Sequence, residues 1–130
     1  QQGYIVWVGE RPNRLVGGRF FIVFQDAMLM LARDPELTQQ VQRVMLYLFG
    51  SLDFDNFLHI KQKEIAEALN MDKGNVSKAV SLLKRKGIIL EAPYKGVRCY
   101  KLNHFYGWKG SVTSLKKQDN KPKLTLVKSE

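Results

Sequence analysis

Within residues 60–102, the stretch KQKEIAEALNMDKGNVSKAVSLLKRKG, numbered 61–87, decides the fold. Ile65, Ala66 and Leu69 share one face of a helix opening near Gln62. Val76, Ala79, Val80 and Leu83 follow at the i, i+3, i+4, i+7 spacing of a second buried stripe. Between them lies Asn70-Met71-Asp72. Asn70 suits a left-handed turn position, where Gly is easiest and Asn among the next best. Met71 drops a side chain between the helices. Asp72 suits the N-cap of the second helix, its carboxylate accepting from backbone N–H groups at the positive helix end. Ala66 supplies the small residue that two helices need where they cross.

Gly87 closes the second helix, and two β-like runs follow, Ile88-Ile89-Leu90 and Cys99-Tyr100-Lys101-Leu102. Residues 91–98 separate them as a loop, with Lys95-Gly96 as a tight tip. Helix, turn, helix and two-stranded wing is the order of a winged helix-turn-helix, a fold that sets its second helix in the DNA major groove. Upstream, residues 37–52 carry Val41, Val44, Met45, Leu48 and Leu52 on one helical stripe. Residues 53–56 read as a turn and 57–60 as a short strand pairing with the wing. His59 reads as a half-buried strand residue there.

The outward face of the helix predicted over 73–86 is the candidate DNA-binding surface. Lys73 stands at its start, Gly74, Lys78, Ser81 and Arg85 oppose the buried stripe, and Asn75 and Ser77 flank it. Gly74 admits a close backbone approach. Asn75 can read adenine bidentately, Lys78 can reach guanine acceptors, and Ser77 suits phosphate or base. In the wing, Tyr94, Lys95 and Arg98 are the candidate contacts to backbone or minor groove. The bland alternative is a solvated helix face with lysines for solubility.

Residues 1–36 read as an added element that packs on the core or on a second copy. Tyr4-Ile5-Val6-Trp7-Val8 and Phe20-Phe21-Ile22-Val23-Phe24 predict an extra N-terminal β-hairpin. A helix follows from about Gln25 to Ala32, with Ala27, Met28 and Leu31 inward and Pro35 beyond. Residues 37–110 form the predicted winged helix-turn-helix, so the fold class is α+β. Residues 111–130 read as a basic, flexible tail whose segment 123–127 alternates enough to form a strand beside a partner edge.

Charge follows the same division. Residues 1–60 hold five Lys or Arg against six acids, whereas 61–130 hold sixteen against six, within a net charge of +9. The positive charge therefore lies in the half with the helix-turn-helix, a footprint of a polyanion partner. Catalysis and metal binding find no support. A single cysteine, Cys99, excludes a disulfide framework, and His59 and His104 lack metal-ligand spacing. Asp53 and Asp55 fit a turn better than a carboxylate pair. No Gly-rich phosphate loop appears, so no cofactor is expected. No apolar run approaches the ~20 residues of a membrane span, and no secretory signal is read. A chain opening on Gln1 rather than Met reads either as a trimmed chain or as a fragment of something longer, and the whole fits a cytoplasmic bacterial protein.

Residues 61–71, then Asn75-Val76-Ser77-Lys78-Ala79-Val80 and Leu83-Lys84-Arg85-Lys86-Gly87-Ile88, resemble the helix-turn-helix of RepL-type plasmid replication proteins from Firmicutes. Tyr100-Lys101-Leu102-Asn103-His104-Phe105-Tyr106-Gly107-Trp108-Lys109-Gly110 resembles that family's closing strand, Asn-Pro and Trp-Lys-Gly. The likeness spans residues 20–110. His104 replaces the family's Pro, Asp72 its common Ser or Thr, and Asn75 its common Thr. The resemblance implies a winged-helix binder of double-stranded DNA in plasmid replication initiation or copy control, at an origin or its own promoter. Separately, a homodimer fits DNA readers, whose two-fold symmetry matches palindromic sites, and host replication proteins are candidate partners. The alternatives are a MarR-like phage or plasmid transcriptional regulator and a winged-helix protein adaptor. Trp7, Tyr94 or Trp108 would anchor the adaptor, although Trp108 reads better as a core plug under the wing.

Overall fold

The computed structural model describes residues 19–119. Its elements run β1 (Ile22–Val23), α1 (Gln25–Arg33), α2 (Gln39–Gly50), a tight 3₁₀ turn (Phe54–Asn56), β2 (Phe57–Leu58), α3 (Gln62–Leu69), α4 (Lys73–Arg85), β3 (Ile89–Tyr94), β4 (Val97–Leu102), β5 (Gly107–Trp108) and α5 (Val112–Asp119). The order is that of a winged helix-turn-helix in an α+β framework.

The core sits where α2 and α3 meet α4 and the sheet closes over them. Val44, Leu48, Ile65, Val76, Val80, Leu83, Ile88 and Ile89 are all buried there. The stripe read from sequence is thus the packed one, because 3.6-residue spacing puts those side chains on one side of each helix. Thr38 caps α2, its hydroxyl accepting from Val41 N at 3.5 Å. The backbone N–H of Lys61 donates to Glu64 Oε1 at 3.0 Å, satisfying one free donor at the start of α3.

β2, β4 and β3 form one antiparallel sheet in that order, with Phe57 opposite Lys101 and Ile89 opposite Leu102. The 91–98 loop expected from sequence is instead almost wholly strand. Cross-strand pairing runs out to Tyr94 opposite Val97, leaving Lys95-Gly96 alone as the turn. Both of those residues have positive φ (52° and 81°), the geometry of tight hairpin turns matched to strand twist. Pro93 is tolerated because β3 lies at the sheet edge.

A second pairing corrects the N-terminal reading. Of the run 20–24, only Ile22 and Val23 are strand, and their partner is β5, with Ile22 opposite Trp108 and Val23 opposite Gly107. The other half of the expected hairpin, 4–8, lies outside the described residues. The predicted strand 57–60 shortens to β2, which leaves His59 just beyond it and exposed rather than half-buried. The segment read as a flexible tail opens on α5.

Asn56 joins these pieces. It is fully buried, and Nδ2 donates to Leu102 O at 3.0 Å and Gly107 O at 2.8 Å, while Oδ1 accepts from Lys109 N at 2.8 Å. Asn103 does similar work one strand away, Nδ2 donating to Gly87 O at 2.9 Å and Oδ1 accepting from Phe105 N at 3.1 Å. Together they seat the closing segment so that Trp108 lies only 2% exposed.

Candidate nucleic-acid interface

The turn between α3 and α4 fixes how α4 projects. Asn70 adopts the left-handed conformation (φ 53°, ψ 49°). The Met71 N–H then donates to Ala66 O at 3.0 Å and Asn70 N to Glu67 O at 3.4 Å, a Schellman ending that satisfies late carbonyls of α3. Arg43 from α2 adds a donor, Nη2 to Leu69 O at 2.9 Å. Asp72 begins α4 as expected, Oδ2 accepting from Gly74 N at 3.0 Å. A Cβ on Gly74 would meet that same oxygen at 3.0 Å, so the bare glycine leaves the cap room. At the far end Gly87, at φ 75°, repeats the Schellman geometry: Gly87 N donates to Lys84 O and Ile88 N to Leu83 O, both at 3.0 Å.

Held this way, α4 turns Lys73, Gly74, Ser77, Lys78, Ser81 and Arg85 to solvent, with Asn75 half-buried on the flank. The helix-face residues singled out from sequence therefore share one surface. Its charge is uneven along the axis. At the C-terminal end, Arg85 Nη2 lies 3.7 Å from Glu36, and Lys86 Nζ is 2.9 Å from Asp34 and also pairs with Glu36. Burial pushes Asp34 up, but the Lys86 hydrogen bond, the Glu36 N–H and the Lys86 charge outweigh it and hold the carboxyl below its ordinary range. At the N-terminal end, Lys73 and Lys78 make no ion pair among the described residues.

The wing splits its candidate residues between its two faces. Alternation along β4 puts Arg98 with Tyr100 and Leu102 on the side of the helices. There Arg98 Nη2 donates to Glu91 Oε1 at 2.7 Å, and Lys84 Nζ from α4 donates to Glu91 Oε2 at 2.7 Å. Tyr94 is on the other face. Its ring meets Phe57 and His59 edge-on, at 4.8 Å between centroids in each case. His59 also lies 3.8 Å from Cys99 Sγ and 3.7 Å from Asp53. Lys95, at the tip, has Nζ 5.4 Å from the Tyr94 ring. Burial of Trp108, whose Nε1 donates to Ser111 O at 3.0 Å, removes it as an exposed protein anchor. Trp7 lies outside the described residues.

Sequence reasoning missed Glu91, Lys84 and the Asp34–Glu36 pair. The β-register that sets Glu91 opposite Tyr100, two residues from Arg98, held a signal for the first two. Nothing local marks Asp34 and Glu36, which reach α4 only through the packing of the α1–α2 loop. Among the described residues no group of His, Cys, Asp or Glu is arranged to hold a metal ion, and no helix is long and apolar enough to cross a membrane.

No curated protein and no solved structure matches the chain. A family model described as winged helix-turn-helix DNA-binding matches residues 59–89, the span of α3, the turn, α4 and the first residue of β3. Motif, cap geometry and family match coincide: the chain carries a winged helix-turn-helix, and over residues 59–89 it is similar to that DNA-binding family.

Proposed function

We propose that this chain reads double-stranded DNA sequence-specifically, with α4 in the major groove and the wing on the backbone or adjacent minor groove. The observation that carries the reading is the N-terminal half of α4. There Lys73 and Lys78, which make no ion pair among the described residues, frame exposed Gly74 and Ser77 and half-buried Asn75 on one side of the helix. Asn75 and Lys78 supply base contacts, Lys73, Ser77, Ser81 and Arg85 phosphate or base contacts, and Gly74 close approach. Tyr94, Lys95 and Arg98 contact the backbone beside the wing. The likeness of residues 20–110 to RepL-type proteins supports a role in plasmid replication initiation or copy control. Two-fold pairing on a palindromic origin or promoter, and recruitment of host replication proteins, belong to that role.

The test is binding to a random-sequence duplex pool at two salt concentrations, with sequencing of the bound fraction. We expect an enriched motif that persists at the higher salt, and a palindrome if two copies bind together. Asn75→Ala should change which sequence is enriched, and Lys78→Ala with Arg98→Ala should weaken binding. Binding that enriches nothing and vanishes with salt, or a double variant that binds as tightly as the parent, overturns the proposal.

A further inference from the structure

Glu91 is the sole acid in β3 and β4, and it holds a cation on each carboxylate oxygen. Arg98 comes from the neighbouring strand and Lys84 from α4, so the carboxylate spans two elements. The three groups share a cleft of about 590 Å³ that Lys61, Gln62 and Tyr100 also line. The Arg98 side chain is 83% exposed, so a phosphate can still reach it.

We infer that Glu91 is a positioning residue that limits sequence-independent attraction to DNA phosphate while fixing Arg98 for the specifically docked complex. The inference rests on the DNA-reading role proposed above. Its first part is charge. Lys84, Glu91 and Arg98 together present a net +1 to the backbone where the two cations alone would present +2. Sequence-independent binding scales with the phosphates neutralised and is indifferent to how the cations are aimed. Its second part is geometry. Specific docking requires α4 and the wing to address the duplex together, and Glu91 ties the α4 lysine to the wing arginine. Lys84 first, and then Arg98, hold the Glu91 carboxyl below its ordinary range, so the clamp stays charged at neutral pH.

The experiment compares the parent, Glu91→Gln, Glu91→Gln/Arg98→Gln and Asp26→Asn by fluorescence anisotropy across a salt series. The probes are a random-sequence duplex pool and the sequence that the parent enriches from it. Asp26, exposed on α1, makes the same change of net charge outside the wing. Glu91→Gln should tighten random-pool binding about three- to tenfold and steepen its salt slope by about one. Affinity for the enriched sequence should change less than about twofold, so the ratio between the two falls. The double variant should return random-pool binding to the parental value. Equal effects of Glu91→Gln on both probes, or an Asp26→Asn effect as large as that of Glu91→Gln, overturn the inference. A parent that enriches no sequence sinks base reading on its own. The wing inference is then decided on the random pool, where Glu91→Gln must exceed Asp26→Asn in affinity and slope. A parent that binds neither probe overturns both.

Discussion

At the scale of single residues, Asn56 carries more of the fold than its place in a short polar turn suggests. It sits at φ 67° with no exposed surface, and its amide serves two carbonyls and one N–H on segments 46 to 53 residues away. Truncation removes this partner from two buried carbonyls and one part-buried N–H, and each loss at a buried group costs about 1–3 kcal/mol. Asn56→Ala should therefore destabilise by about 3 kcal/mol or more, measured as the shift of a urea midpoint. A cost below about 1 kcal/mol would show that water replaces the amide. The sequence disguises this residue. Asp53, Asp55 and Asn56 together have the composition of a solvated turn, and contacts so distant leave no mark on local pattern.

At the scale of elements, legibility follows the range of the interactions that build each one. The α3–turn–α4 unit could be read nearly to the residue because its determinants are local: a left-handed Asn, an Asp cap, a terminal Gly and two 3.6-period stripes. Those same residues should respond in graded fashion to substitution. Asp72→Ala should cost about 1 kcal/mol through loss of the cap. Asn70→Ala should cost about the same through the left-handed Cβ penalty, whereas Asn70→Gly should be nearly neutral. Thermal unfolding of the three variants checks the ranking, and an equally costly Asn70→Gly would remove the conformational explanation. The wing was legible as a hairpin with the right tip but not in its strand lengths, because pairing across the ladder extends both strands through residues that look like a loop. The β1–β5 pair was not legible at all, since it joins residues 85 or so apart through two-residue strands. A Cβ at Gly107 would stand 2.7 Å from Ile22 O. Gly107→Ala should accordingly force this ladder open at about 2 kcal/mol, within the range of overpacked sites. Hydrogen exchange at the Ile22 amide, which faces the β5 partner in this register, should accelerate with it.

At the scale of the whole molecule, the placement of acids decides where the positive charge of the second half is available. The sequence tally gave sixteen cations in residues 61–130 without saying which are neutralised, because pairing with Asp34 and Glu36 depends on how the α1–α2 loop packs on α4. That pairing has a pH signature. Asp34 titrates below its ordinary range when folded, so its contribution to stability is present above that range and is lost as pH falls through the depressed value. Lys86 is raised by its hydrogen bonds to Glu36 and Asp34, so its contribution persists through neutrality and fails only as pH climbs above the usual lysine range. Asp34→Asn should lower the melting temperature at pH 7 and change it less at a pH below the depressed value, where the parent carboxyl is itself protonated. An equal loss at both would assign the effect to packing. The same partition governs DNA. Lys73→Ala with Lys78→Ala removes cations that no acid opposes among the described residues, and should weaken duplex binding about tenfold while reducing the salt slope by between one and two. Arg85→Ala removes a cation already 3.7 Å from Glu36 and should weaken binding by much less. Comparable losses from the two ends of α4 would mean that Glu36 yields its arginine to phosphate on docking, and the effective surface would then run the length of the helix.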